Sequence, residues 1–82
     1  MDRASILTGV IDAVAEAYEV DAKTLSEGSE YKKLPNYSSS KVLKTGLFIG
    51  ENLDLDDDLG YDDIADHVTI GDTVDMLAQK LG

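Results

Sequence analysis

A chain of 82 residues with 17 Asp and Glu against 7 Lys and Arg carries a net charge of −10 and has room for one domain around a single modest core. It has no Cys and a single His, His67, which excludes disulfides, thiolate chemistry, Cys-ligated zinc and any His-rich metal site. The acidity argues against nucleic acid as a partner, since phosphates would be repelled, and an apolar fraction of 43% marks a globular chain.

In chain order, residues 4–18 read as a helix. Leu7, Val10, Ile11, Val14 and Tyr18 recur at three- and four-residue spacing and make one apolar stripe, which outweighs the cost of Gly9. Asp12 and Glu16 interrupt this stretch, so neither a signal peptide nor a membrane span is expected, and the cytoplasm is the default location. Residues 19–37 form a long connection with apolar anchors Val20, Leu25, Tyr31 and Leu34 between turn formers such as Gly28, Pro35 and Asn36. A second helix starts in Ser38-Ser39-Ser40, serine being a good cap, and carries Val42, Leu43, Leu47, Phe48, Ile49 and Leu53. Gly46 and Gly50 inside it leave room for a bound chain, allow close packing, or break the helix. A short third helix covers 61–67 with Ile64 as anchor. The last begins at Thr69-Ile70-Gly71-Asp72, with Thr69 as cap, Asp72 as its reciprocal partner, and Ile70, Val74 and Leu77 facing inward. No stretch alternates long enough to be a strand, so residues 1–82 read as a single all-α domain, a small helical bundle.

The charge is uneven. Residues 1–30 carry −5, residues 31–50 carry +4 through Lys32, Lys33, Lys41 and Lys44, and residues 51–82 carry −9. Asp54, Asp56 and Asp58 have the odd spacing of a calcium loop. Gly60 comes one place late for its turn, and Ala65 stands where a bidentate Glu belongs, so the acids read as a solvated face and no metal site is expected. Loose divalent-ion binding remains a weaker reading. No set of residues resembles a catalytic constellation, and Tyr37 and Tyr61 are candidates for a partner surface.

The overall pattern resembles the acyl carrier protein family: small acidic four-helix carriers with a long loop between the first two helices. Val20, Leu25 and Tyr31 match the family's apolar loop anchors, Thr69-Ile70-Gly71-Asp72 is similar to the start of its last helix, and Leu55, Leu59 and Asp62-Asp63 match the end of its second helix and its acidic third. The resemblance implies a 4′-phosphopantetheine arm on a Ser at the start of the second helix. The family's Asp-Ser-Leu signature is absent. Here the segment is Lys33-Leu34-Pro35-Asn36-Tyr37-Ser38-Ser39-Ser40, and spacing from the loop anchors selects Ser39, with Ser38 and Ser40 open. In that register Leu43, Ile49 and Leu53 take core positions. A second copy of the motif, Asp58-Leu59-Gly60-Tyr61-Asp62-Asp63-Ile64, has Asp63 in place of Ser and lies too late in the chain to precede three helices.

The resemblance further implies a non-catalytic, monomeric carrier. It would hold an acyl or aminoacyl group as a thioester for lipid, polyketide or specialised metabolite synthesis. Its partners would be a phosphopantetheinyl transferase, an acyl-activating enzyme and a condensing or transferring enzyme. The family docks through an acidic second helix, whereas Lys41 and Lys44 here imply partners with acidic or neutral surfaces. The alternative is a carrier-like protein–protein adaptor without the arm.

Overall fold

The computed structural model describes residues 1–57 and 59–81. Four α-helices account for its regular structure, and among the described residues the only β pairing is an isolated antiparallel bridge between Glu30 and Thr69. Helix α1 spans Arg3–Tyr18. Asp2 caps it, its Oδ1 accepting the Ser5 N–H at 2.8 Å, and hydrogen bonding with Ser5 holds that carboxyl below the usual aspartate range. Glu19 ends the helix in the left-handed conformation (φ 57°), a place glycine more often fills, and donates its N–H to the Ala15 carbonyl. The buried face holds Ile6, Val10, Ala13, Val14, Ala17 and Tyr18, while Leu7 and Ile11 lie at its edge. The apolar stripe is therefore wider than the sequence spacing indicates and turned toward Ile6. The reason is that α1 packs against two helices, α2 and α4, and so buries a broader arc than one stripe.

Helix α2, Ser39–Asn52, runs unbroken through Gly46 and Gly50. Its inner face is Val42, Thr45, Gly46, Ile49 and Gly50. Leu53 follows as the C-cap and is buried. Leu43, expected in the core, is 54% exposed, and Leu47 is 43% exposed. The cause is proximity: a Cβ at Gly46 would lie 2.4 Å from the Leu59 carbonyl oxygen, so the chain entering the next helix already fills that space. Bulk is excluded from this part of the inner face, and the leucines sit outside. Buried Thr45 satisfies its hydroxyl by donating to the Lys41 carbonyl at 2.8 Å.

Helix α3, Tyr61–Ala65, packs on α2 through buried Ile64. It is shorter than the expected 61–67 because the chain turns there, the His67 N–H donating to the Ile64 carbonyl at 2.9 Å. Asp63, the residue that replaces serine in the second motif copy, accepts the Gly60 N–H at 2.7 Å and so serves to start α3. That motif's Asp58 lies outside the described residues. Helix α4, Ile70–Leu81, starts as the sequence indicates: Thr69 Oγ1 accepts the Asp72 N–H at 3.2 Å, and Asp72 Oδ2 accepts the N–H groups of Thr69 and Val68 at 3.1 and 3.0 Å. Ile70, Val74 and Leu77 are fully buried. Thr69→Ala is expected to lower the unfolding free energy by about 1 kcal/mol, measured by urea titration. No loss would mean that Asp72 alone organises this end.

The connection between α1 and α2 is short of regular structure yet firmly held. It makes 3₁₀ turns at Ala22–Thr24 and Tyr31–Lys33. Its backbone is stitched to the start of α4: Tyr31 N–H to Val68 O at 3.1 Å, Ile70 N–H to Ser29 O at 3.0 Å, and Gly71 N–H to Glu27 O at 2.8 Å. Tyr31 is buried, and Val20, Leu25 and Leu34 pack against the core, so all four sequence anchors are in use. Arg3 adds an outer clamp, reaching Glu27 in the loop and Asp75 on α4, the latter at 2.7 Å. Among the described residues, no helix is long and apolar enough to cross a membrane.

Candidate functional site at the start of the second helix

The three serines separate into different roles. Ser38 is extended (φ −159°, ψ 164°) and partly buried, and its Oγ accepts the Lys41 N–H at 3.2 Å as the N-cap of α2. Ser39 and Ser40 occupy the first two helical positions and are exposed. The amides of a helix's first turn lack intrahelical acceptors and point outward, and the helix dipole adds partial positive charge there. No acidic residue lies in the first turn of α2. An anion attached to Ser39 would thus meet oriented N–H groups and no nearby carboxylate on its own turn.

The basic island is partly neutralised by folding. Lys33 Nζ lies 2.9 Å from Glu30 Oε2, and Lys41 Nζ lies 3.8 Å from Glu19 Oε2 with only 19% of the Lys41 side chain exposed. Lys41 is therefore turned toward the end of α1 and is poorly placed as a docking charge. Lys44 and Lys32 are exposed, and neither makes a salt bridge within the described residues. Leu43, expected in the core, and Leu47 join Lys44 at the surface, four apart on one side of the helix. In the sequence the apolar positions of α2 form one broad arc, and the buried glycines Gly46 and Gly50 lie on the part of it that faces inward.

Tyr37 is partly buried against the core, whereas Tyr61 is 39% exposed. The Tyr18 hydroxyl at the end of α1 is buried without a hydrogen-bond partner among the described residues, and burial, with Tyr37 adding to it, pushes its pKa up to about 12. The single imidazole is engaged: His67 Nδ1 lies 2.8 Å from Thr73 Oγ1, which lies 2.6 Å from the Tyr31 hydroxyl. Among the described residues no group of three or more His, Asp or Glu side chains is placed to hold a metal ion.

No family model, curated protein or solved structure matches this chain. The functional reading therefore rests on the residues and their arrangement.

Proposed function

We propose that this protein is a carrier that holds an acyl or aminoacyl group as a thioester on a 4′-phosphopantetheine arm attached to Ser39. The supporting observation is the division of labour at the start of α2. Ser38 takes the capping role, which leaves the Ser39 hydroxyl exposed at the positive end of a 14-residue helix with no carboxylate in its first turn. The arm, when attached, supplies the thiol that forms the thioester. The protein's own residues present the hydroxyl and stabilise the phosphodiester. They include no base suited to catalysis at this point, so a separate phosphopantetheinyl transferase would load the arm, and activating and condensing or transferring enzymes would use it.

Incubation with coenzyme A and a broad-specificity transferase, followed by intact mass and fragmentation, tests the assignment. A phosphopantetheine adduct on Ser39 is expected. An adduct on Ser40 would move the site by one residue. No adduct, also in protein from its native source, would favour the adaptor reading, which the missing Asp-Ser-Leu signature supports.

The exposed trio Leu43, Lys44 and Leu47 is the dock this reading assigns to partner enzymes, with acidic or neutral partner surfaces opposite Lys44. Lys44→Glu is expected to reduce transfer by a cognate partner about tenfold or less, mainly through slower association that salt masks. Unchanged transfer at low salt would remove Lys44 from the dock.

A further inference from the structure

We propose that Tyr31, Thr73 and His67 form a proton-sensitive latch that holds the long loop on the start of α4 and loosens on acidification. The three side chains come from the loop, from α4 and from the turn between α3 and α4, and they meet at one hydroxyl. Thr73 is fully buried and Tyr31 nearly so. The Thr73 hydroxyl has one hydrogen to give, and its Oγ1 lies 2.6 Å from the Tyr31 hydroxyl and 2.8 Å from His67 Nδ1.

With a neutral imidazole whose Nδ1 is unprotonated, every donor in this chain is matched. The Tyr31 hydroxyl donates to Thr73 Oγ1, and the Thr73 hydroxyl donates to His67 Nδ1. Protonation makes both ring nitrogens donors. Nδ1 then donates to Thr73 Oγ1, so three hydrogens share two contacts and one buried hydroxyl hydrogen, that of Thr73 or that of Tyr31, is left without a partner in the cluster. The alternative is for the charged ring to swing away and abandon Thr73. The first response strands one buried hydroxyl hydrogen and the second breaks the His67–Thr73 bond, and each weakens the hold on Tyr31.

The surroundings set up the opposition. Asp72 on α4, Asp66 on the turn and Glu30 from the loop lie around His67, with Lys32 from the loop as the opposing cation. Asp72 is already committed to the Val68 and Thr69 N–H groups, and Glu30 is paired with Lys33. Imidazoles as a class change charge between pH 5 and 8, which sets the range of the test. The latch matters because the Tyr31–Val68 and Ser29–Ile70 backbone bonds lie beside it. Beyond Tyr31 the chain runs directly to the Ser38 cap. The inference holds whether or not Ser39 is modified.

Nitrogen NMR of the His67 ring and amide hydrogen exchange test it. At about pH 7.5 the ring should carry its proton on Nε2 with Nδ1 as acceptor. Between about pH 7.5 and about pH 5.5, exchange protection at the Tyr31 and Ile70 amides, corrected for intrinsic rates, should fall about tenfold while Val14 in α1 keeps its protection. In His67→Gln, whose amide oxygen accepts from Thr73 at both pH values, protection should stay level. A proton on Nδ1 at neutral pH, no loss at Tyr31 and Ile70, or an equal loss in His67→Gln would each overturn the latch. If His67→Gln does not fold, the wild-type contrast between Tyr31 and Val14 decides: equal loss at both means global destabilisation and no latch.

Discussion

Gly46→Ala is expected to destabilise the protein by about 1–3 kcal/mol, although alanine normally favours a helix over glycine by about 1 kcal/mol. The added methyl would sit 2.4 Å from the Leu59 carbonyl oxygen and 3.1 Å from its carbonyl carbon. A backbone group has little freedom to yield, and Leu59 itself is buried, so relief requires moving the whole approach to α3. Gly9 offers the internal comparison. There the added methyl meets the Leu53 Cδ2 at 2.5 Å, a side-chain terminus that can change rotamer, so Gly9→Ala is expected to cost less. Urea unfolding of the two variants measures the difference. Equal stability of Gly46→Ala and wild type would show that the Leu59 segment is not held where the close contact places it.

Ser39→Ala is expected to abolish phosphopantetheine loading with no more than a few tenths of a kcal/mol change in stability, because an exposed first-turn hydroxyl makes little contribution to the fold. Ser38→Ala is expected to do the reverse. It removes the acceptor for the Lys41 N–H and is expected to lower stability by about 1 kcal/mol, while the hydroxyl proposed to carry the arm, one residue later, remains. Loading and stability therefore separate onto adjacent residues. Loss of loading in a folded Ser38→Ala protein, with loading intact in Ser39→Ala, would transfer the attachment point to Ser38 and end the division of roles proposed above.

The acid limb of stability has a separate source. The N–H groups of Thr69 and Val68 hold the Asp72 carboxyl below the usual range, and Ser5 does the same for Asp2. A lowered folded-state pKa gives stability that is present above the unfolded aspartate range, near about pH 4, and lost as pH falls through the folded value. These caps loosen well below the range in which an imidazole titrates, so they do not mask the His67 experiment.

How much could be read from the sequence follows the range of the forces involved. The start of α4 was legible because Thr69, Asp72, Ile70, Val74 and Leu77 interact within two turns of one helix. Ser38-Ser39-Ser40 announced a helix start for the same reason. The burial of Tyr31 followed from isolated apolar residues in an otherwise polar loop. The inward face of α2 was legible in part: Ile49 and Leu53 are buried as their spacing indicates, and Leu43 is not. Leu43 and Leu47 continue the apolar arc that Val42 and Ile49 begin, and hydrophobicity alone does not mark where that arc turns to solvent. The choice is made by Leu59, which approaches Gly46 from a distant part of the chain.

The charge pattern divides in the same way. The sequence by itself determined a net −10 with a +4 island between residues 31 and 50. Only the tertiary structure decided which lysines of that island act outwardly. Folding turns Lys41 toward Glu19 and pairs the exposed Lys33 with Glu30, and leaves Lys32 and Lys44 exposed with no salt bridge among the described residues. Formal charge is fixed by composition, but the field that a partner meets depends on which charges lie within a few ångströms of each other, and that is a property of the fold.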